Sequence, residues 1–216
     1  MSRHEDVRRI VDGGVIAVMR GVEAEDALPV AQALSAGGVR AMEFTMDSAD
    51  AVENIERAAD TFAEEPTLIG AGTVLDAESA RAAILAGAEF VVCPTVSEEV
   101  IEMCNRYGVP VAPGVATPTE ALTAYEAGAD LIKLFPAGQL GPGYLKSILG
   151  PLGQLPIVPT GGVSHDNAAE FVEAGAVAVG AGGALVDSEA IEEGDYAELE
   201  ELARRLVEIV RDAREE

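Results

Sequence analysis

The strongest constraint on the fold is a repeat of short apolar runs, each followed by a segment with helical spacing. Four of these segments end in similar tripeptides, which are Ala36-Gly37-Gly38, Ala86-Gly87-Ala88, Ala127-Gly128-Ala129 and Ala174-Gly175-Ala176. A glycine here suits the left-handed residue that commonly ends a helix. Three further apolar runs are introduced by proline, at Pro66, Pro110 and Pro156. The pattern predicts strands that alternate with helices along the whole chain.

Eight strands are predicted, at roughly 14–20, 39–46, 67–74, 90–96, 110–115, 131–137, 156–163 and 177–186. Runs such as Phe90 to Val92 are apolar without alternation, which is typical of strands buried on both faces. Eight βα units predict a single-domain (β/α)8 TIM barrel, of the α/β class, over residues 1–216. An open doubly wound sheet is the alternative, but it would need a glycine-rich turn where the chain has Met19-Arg20-Gly21.

The charge of the chain makes two kinds of partner improbable. The sequence has 38 Asp and Glu residues against 14 Lys and Arg residues, which gives a formal net charge of −24. Such a surface repels phosphate backbones and anionic lipid, so we expect neither nucleic acid nor a membrane as a partner. The acidic residues are spread along the chain and only two basic residues are lysines, which resembles the surfaces of proteins from halophilic organisms.

We expect a soluble cytoplasmic protein. Two cysteines, Cys93 and Cys104, make no disulfide framework in a chain of this length. The first ten residues are rich in charge and lack the apolar core of a signal peptide. The longest stretch without ionisable residues, 147–164, contains three prolines and therefore cannot form a membrane helix.

The predicted strand ends are where the chemistry of such a barrel is expected. In this chain they carry many residues that could bind a substrate or react with it. In strand order these are Arg20, Glu43 with Thr45, Thr73, Pro94, Thr117, Lys133, Thr160 and the glycine-rich stretch 180–183.

Lys133 lies in an otherwise hydrophobic run, 131–136. Burying an unpaired ammonium is costly, so a lysine in such a place tends to lose its proton. An unprotonated lysine is a nucleophile toward ketones. An edge position or a structural ion pair is the alternative, but the candidates at the other strand ends favour a catalytic lysine.

Glu43 lies in a second apolar strand. Alternation along that strand places Glu43 and Thr45 on one face. Alternation along the strand of Lys133 likewise places Lys133 and Phe135 on one face. A carboxylate and an amine inside one barrel could form a buried ion pair, which by itself stabilises little. They could also divide the chemistry, with the amine forming a Schiff base while the carboxylate moves protons. The sequence leaves both possibilities open.

Glycines follow the seventh predicted strand, in Thr160-Gly161-Gly162, and recur near the eighth at Gly182 and Gly183. Glycine lets backbone N–H groups approach an anion closely, and barrels frequently bind phosphate at these two loops. The alternative is tight packing of the turns.

Two further residues could bind an anion. Arg20 could hold a carboxylate or a phosphate bidentately. Thr73, at the end of Gly70-Ala71-Gly72-Thr73, could offer its hydroxyl and an N–H group to a carboxylate. Each could equally be an ordinary strand end.

Six motifs stand in a fixed order, namely Glu43-Phe-Thr45, Gly70-Ala-Gly-Thr73-Val, Val92-Cys-Pro94, Pro113-Gly-Val, Leu131-Ile-Lys133-Leu-Phe135-Pro136-Ala and Pro159-Thr-Gly-Gly162-Val. In order and spacing they resemble the 2-keto-3-deoxy-6-phosphogluconate (KDPG) and 4-hydroxy-2-oxoglutarate (KHG) aldolase family. The resemblance covers about residues 5–212. The lysine motif and the Thr-Gly-Gly loop together make it specific.

The resemblance implies a class I aldolase on a (β/α)8 barrel, usually a homotrimer. Its substrate would be a phosphorylated keto sugar acid, which it would cleave to pyruvate and glyceraldehyde 3-phosphate. Lys133 would form the Schiff base and Glu43 would act as acid and base. Thr73 and Pro94 would contact the pyruvate carboxylate, and Phe135 would pack against the substrate.

No metal or other cofactor is expected. The protonated imine would itself accept the electrons of the broken bond, so the reaction needs no metal. The two histidines, His4 and His165, are also not near a carboxylate cluster in the sequence.

The chain departs from the family pattern at two positions. Many bacterial members have an arginine four residues after the catalytic glutamate, where this chain has Asp47, so Arg20 is the cation that remains for the substrate carboxylate. Many members also have a serine where this chain has Gly183, so its last phosphate loop would bind through backbone groups alone.

Several alternatives stay open. The substrate could be the 6-phosphogalactonate epimer or 4-hydroxy-2-oxoglutarate instead. A phosphate-binding isomerase or epimerase would share the glycine loops without needing Lys133 to trap a ketone. A third possibility is a barrel that binds a sugar phosphate without catalysis.

Overall fold

The computed structural model describes residues 2–48 and 50–215. The strands in this part of the chain are β1 (Val15–Met19), β2 (Ala41–Thr45), β3 (Leu68–Gly72), β4 (Phe90–Val92), β5 (Val111–Ala112), β6 (Gly114–Val115), β7 (Ile132–Leu134), β8 (Ile157–Pro159) and β9 (Val179–Ala181). The helices are α1 (Arg3–Gly13), α2 (Ala27–Ala36), α3 (Ala51–Thr61), α4 (Ala77–Leu85), α5 (Glu98–Tyr107), α6 (Pro118–Glu126), α7 (Ala137–Leu140), α8 (Pro142–Leu149), α9 (Ala168–Glu173), α10 (Ser188–Glu193) and α11 (Tyr196–Glu215).

The strands form a closed parallel barrel. One run of pairs has the order β5-β4-β3-β2-β1-β9 and a second has the order β6-β7-β8. Because β5 and β6 are parts of one chain segment that flank Pro113, the two runs are continuous there. A parallel bridge between Thr160 and Gly180 joins β8 to β9 at the other end. The prediction of a (β/α)8 barrel is therefore confirmed.

The helix-ending glycines behave largely as predicted. Gly87, Gly128 and Gly175 have φ angles of 100°, 96° and 107°, in the region that glycine adopts without steric cost. In the first tripeptide the left-handed residue is Gly38, with φ 103°, whereas Gly37 has a right-handed φ of −72°. A β-carbon on Gly37 would lie 2.4 Å from the carbonyl oxygen of Glu200, so this glycine is needed for close packing against α11.

The N-terminal helix α1 is not anticipated by the sequence pattern, which begins at the first strand. Ile10 of α1 is fully buried and packs in a cluster with the side chains inside the barrel, among them Ile16, Leu68 and Phe90. These residues lie on the N-terminal half of their strands, so α1 covers that end of the barrel and leaves the other end open. No helix in the described residues is long and apolar enough to cross a membrane.

Candidate active site

Lys133 projects from the middle of β7 into the barrel. Its Cα pairs with Gly114 of β6 on one side and with Val158 of β8 on the other. The residue is only 5 % exposed. Its Nζ atom lies 5.3 Å from the ring centroid of Phe135, two residues further along. The barrel therefore holds the amine away from bulk water, as the apolar run around it predicts.

The partner of this amine is Glu43, on the opposite side of the barrel interior. Nζ of Lys133 lies 3.9 Å from Oε1 of Glu43, and the glutamate is 1 % exposed. Burial raises the pKa of the Glu43 carboxyl above its ordinary value, because desolvation disfavours the charged form. The positive charges of Lys133 and, less strongly, Arg20 act in the opposite direction on that pKa.

Two oxygen atoms beside this pair have unmet hydrogen-bonding capacity. Within the described residues, Oε2 of Glu43 and Oγ1 of Thr45 are buried without a hydrogen-bond partner. Alternation along β2 gives the two residues the same face, as the sequence predicts. A buried polar atom without a partner is costly, so both oxygens are suited to accept or donate a hydrogen bond when a substrate or water molecule enters.

A cavity of about 410 Å³ opens above Lys133 at the C-terminal end of the barrel. It is lined by Val18, Arg20, Lys133, Phe135, Thr160, Gly161, Gly162, Gly182, Gly183 and Val186. Eight of these ten residues are sequence-predicted site residues, and they come from β1, β7, β8, β9 and the loops that follow. Val18 and Val186 are apolar and gave no signal in the sequence. A much smaller space, of about 10 Å³, is lined by Glu43, Lys133 and Thr160, among others. Lys133 and Thr160 line both spaces, whereas Glu43 lies one layer deeper than the cavity wall.

The glycine loop after β8 has the backbone expected of an anion-binding turn. Gly161 and Gly162 have φ angles of 83° and 81°. Their carbonyl groups are turned toward other partners: the oxygen of Gly161 accepts from the N–H of Gly138, and that of Gly162 accepts from Nδ2 of Asn167. Gly138 and Asn167 therefore help to fix the conformation of this loop. Sequence reasoning missed both roles, because neither residue belongs to a recognisable motif.

Arg20 stands at the rim of the cavity, with its side chain 56 % exposed. Its Nη1 donates to Oδ2 of Asp47 over 3.1 Å, and its Nη2 donates to Oγ1 of Thr73 over 2.7 Å. Asp47, which stands where the family resemblance predicts an arginine, therefore pairs with Arg20.

Four predicted site residues do not line the larger cavity. Glu43 lines the smaller space beneath it. Thr45 is buried beside Glu43 as described, and Thr73 is linked to the cavity through Arg20. Pro94 follows β4, and its carbonyl oxygen would lie 2.3 Å from a β-carbon on Gly114, so it packs against the strand next to Lys133.

Cys93 does not supply a nucleophile. It is buried, and burial raises the pKa of its thiol to about 12, so the reactive thiolate is scarce near neutral pH. Among the described residues, no three His, Cys, Asp or Glu side chains are grouped closely enough to hold a metal ion.

Residues 7–202 match the family model of the KDPG and KHG aldolases. This chain belongs to that family. A KDPG aldolase of Treponema pallidum is 39 % identical over 91 % of this chain and 93 % of its own length, and a KDPG aldolase of Pseudomonas aeruginosa is 40 % identical over 85 % and 83 %. A 2-dehydro-3-deoxy-6-phosphogalactonate (KDPGal) aldolase of Escherichia coli is 37 % identical over 79 % and 83 %.

Solved structures of KDPG and KDPGal aldolases have the same fold. A native KDPGal structure superposes with a TM-score of 0.86 at 33 % identity, covering 94 % of this chain and 96 % of its own. A KDPG aldolase from Legionella pneumophila has the same TM-score and identity over 93 % and 97 %, and it was captured with pyruvate as a covalent carbinolamine intermediate. The sequence-based expectations of this aldolase family and its fold are confirmed, and the chain is an aldehyde-lyase.

Proposed function

We propose that this aldolase uses Lys133 as its Schiff-base residue and cleaves KDPG reversibly to pyruvate and glyceraldehyde 3-phosphate. The observation that carries the proposal is the Lys133–Glu43 pair, with 3.9 Å between Nζ and Oε1, at the floor of a cavity. Lys133 lines that cavity, so a ketone can reach its amine, and Glu43 lies directly beside the amine. The Legionella enzyme's covalent pyruvate intermediate supports the same chemistry for this family member.

The cleavage proceeds through an imine. The unprotonated amine of Lys133 adds to the C2 ketone, and the resulting carbinolamine loses water to give a protonated imine. Glu43, directly or through one water molecule, takes the proton of the C4 hydroxyl as the C3–C4 bond breaks. The electron pair of that bond moves to the imine nitrogen and leaves an enamine, while C4 departs as the aldehyde. Glu43 returns the proton to C3, and hydrolysis then releases pyruvate and free Lys133.

The remaining candidate residues divide the binding of the two anionic ends of the substrate. Arg20, with Thr73 and Pro94 nearby, is proposed to bind the pyruvate carboxylate, because it is the cation at the rim. The phosphate is proposed to bind the backbone N–H groups of two loops, and Phe135 packs against the carbon chain. These loops are formed by Thr160, Gly161, Gly162, Gly182 and Gly183.

Two related substrates compete with KDPG in this proposal. The family includes KHG aldolases, and a relative 37 % identical to the chain is named for the galactonate epimer. Assays of all three compounds on one preparation, with pyruvate release coupled to lactate dehydrogenase, test the choice directly. The proposal expects the highest kcat/KM for KDPG, and a higher value for either competitor would reassign the substrate.

We also propose a homotrimer that works in the cytoplasm, with residues 1–216 forming one domain. Family resemblance supports the trimer, and light scattering on the purified protein measures it. The packing of α11 on α2 supports the single domain, because it joins the end of the chain to its first half.

A salt-rich cell interior is a further proposal, supported by 38 acidic residues against 14 basic ones, of which two are lysines. Mutual repulsion among the carboxylates falls when salt screens them. The expected result is a melting temperature that rises with potassium chloride, and a falling one would contradict the proposal.

A further inference from the structure

Three neighbouring strand ends meet around one guanidinium group. Arg20 is the first residue after β1, Asp47 is the second after β2, and Thr73 is the first after β3. Each terminal nitrogen of Arg20 donates to a different partner, Nη1 to Asp47 at 3.1 Å and Nη2 to Thr73 at 2.7 Å. The two acceptors therefore fix both the place and the rotation of the guanidinium.

We propose that Asp47 is a positioning residue for substrate binding, which acts by holding the guanidinium of Arg20 over the cavity. This inference rests on the proposed function, in which Arg20 binds the substrate carboxylate. Asp47 itself does not line the cavity and does not need to touch the substrate.

The exposure of the pair indicates orientation rather than stability as its role. The side chains of Arg20 and Asp47 are 56 % and 46 % exposed, and ion pairs in such places contribute little to folding. A half-exposed arginine has many rotamers, and their loss on binding a ligand reduces affinity. Asp47 and Thr73 restrict that freedom before the substrate arrives.

The arrangement also leaves enough donors for the substrate. An arginine has five N–H groups, and the bonds to Asp47 and Thr73 use one on each terminal nitrogen. Three N–H groups remain, which suffices for a bidentate carboxylate.

Thr73 supports the same interpretation. Its φ angle is +54°, which is rare for a β-branched residue and costs conformational energy. In this conformation its hydroxyl accepts the shorter of the two bonds from Arg20. The cost of this conformation indicates that the contact between Thr73 and Arg20, the residue proposed to bind the carboxylate, has a function.

Asp47 has two opposing effects on the binding of an anionic substrate, and variants can separate them. As a negative charge it repels the substrate carboxylate, whereas as a hydrogen-bond acceptor it orients Arg20. Asp47→Asn removes the charge and keeps an oxygen acceptor, whereas Asp47→Ala removes both. If orientation dominates, only the alanine variant weakens binding.

The test titrates the wild-type protein and both variants with pyruvate, traps the imine with borohydride, and measures the modified fraction by intact mass. Asp47→Ala is expected to raise the half-saturating pyruvate concentration about three- to tenfold, the range set by exposed and charge-assisted pairs. For the full cleavage reaction, KM is expected to rise while kcat stays within about twofold. This is the result when the bound substrate and the transition state lose the same interaction. Asp47→Asn is expected to restore the wild-type half-saturation.

Two controls separate positioning from a general effect. Ethyl pyruvate has no carboxylate, so Asp47→Ala is expected to leave its trapping unchanged. Glu56→Ala removes an exposed acidic residue on α3 and is expected to change neither titration. In an Arg20→Met background, Asp47→Ala is expected to have no further effect, because the two residues act as one unit.

Three results would overturn the inference. The first is unchanged or tighter pyruvate binding in Asp47→Ala, and the second is an equal effect of that change in the Arg20→Met background. The third is an asparagine variant as impaired as the alanine variant. Absence of any adduct in the wild-type protein would instead overturn the proposed function, and this inference with it.

Discussion

Gly72 leaves the space that the carboxyl group of Glu43 occupies. A β-carbon at position 72 would lie 2.7 Å from Cδ of Glu43 and 2.9 and 3.0 Å from its two carboxyl oxygens. Gly72 pairs with Thr45, two residues beyond Glu43 on β2, so the carboxyl group leans across the strand pair. The position of the proposed acid and base therefore depends on a neighbour without a side chain.

Gly72→Ala is expected to reduce kcat by about 100-fold, because a displacement of about 1 Å in a catalytic group can cost that much. Trapping of pyruvate on Lys133 should persist, since the lysine is on the other side of the pair. Gly143→Ala is the matched control, because a β-carbon there would meet nothing within 4 Å. Steady-state assays on both variants measure the effect, and full activity in Gly72→Ala would contradict this account of Glu43.

Glu43→Gln removes the proton transfer and keeps the shape of the side chain. The expected result is a fall in kcat of about 10²- to 10⁴-fold, the usual contribution of a general acid and base. The variant should also lose the exchange of pyruvate methyl protons with deuterated solvent, which NMR follows directly, because Glu43 is proposed to move the proton at C3. Glu56→Gln serves as the control, and rapid exchange in Glu43→Gln would assign the proton transfer to another group.

The raised pKa of Glu43 has a defined effect on the pH profile. Burial raises this pKa above 4.5, and Lys133 and Arg20 offset only part of the shift. Only the ionised carboxylate can take the C4 hydroxyl proton, so kcat/KM should fall as the pH drops through the raised pKa. The midpoint of the acid limb is expected above 4.5, and a midpoint at or below 4.5 would contradict it.

The same shift predicts the effect of Glu43 on stability. The folded state binds this proton more tightly than the unfolded chain does, so the free energy of unfolding falls as the pH rises from the unfolded pKa to the folded one. Glu43→Gln should therefore gain stability relative to the wild-type protein as the pH rises through that interval. Denaturant titrations across the interval measure the difference.

The fold and the central pair of the site could be predicted because both leave a strong signal in the sequence. Charged residues within apolar strands, such as Lys133 and Glu43, are conspicuous since burial of a charge is costly. The repeat of apolar runs likewise allows few architectures. The predicted strands were longer than the observed ones, because apolar residues such as Val186 continue into the loops that line the cavity.

The rest depends on contacts between distant segments. The bond between Arg20 and Asp47 joins residues 27 positions apart. The sequence drew attention to both residues, but nothing in it showed that their side chains meet. Helix α1 was missed because its sequence is mostly charged. Its Arg3 is bound to Asp130, 127 positions away, in a contact that only the folded barrel creates.

Gly183→Ser tests the proposed phosphate loop. Gly183 is exposed, and a β-carbon there would meet nothing within 4 Å, so a serine fits without displacing a neighbour. Its hydroxyl would add one hydrogen bond to an anionic group, which is expected to lower KM for KDPG by about tenfold. KM for 4-hydroxy-2-oxoglutarate, which has no phosphate, should not change, and Gly183→Ala should behave as the wild-type protein. An equal effect on both substrates would place the phosphate elsewhere.

The most direct test of the central claim is the site of imine formation. The protein is incubated with pyruvate and borohydride, digested, and mapped by mass spectrometry, with Lys133→Met treated in parallel. The account predicts a reduced pyruvate adduct on Lys133 and none in the variant. An adduct on Lys146, the other lysine of the chain, or no adduct at all would contradict it.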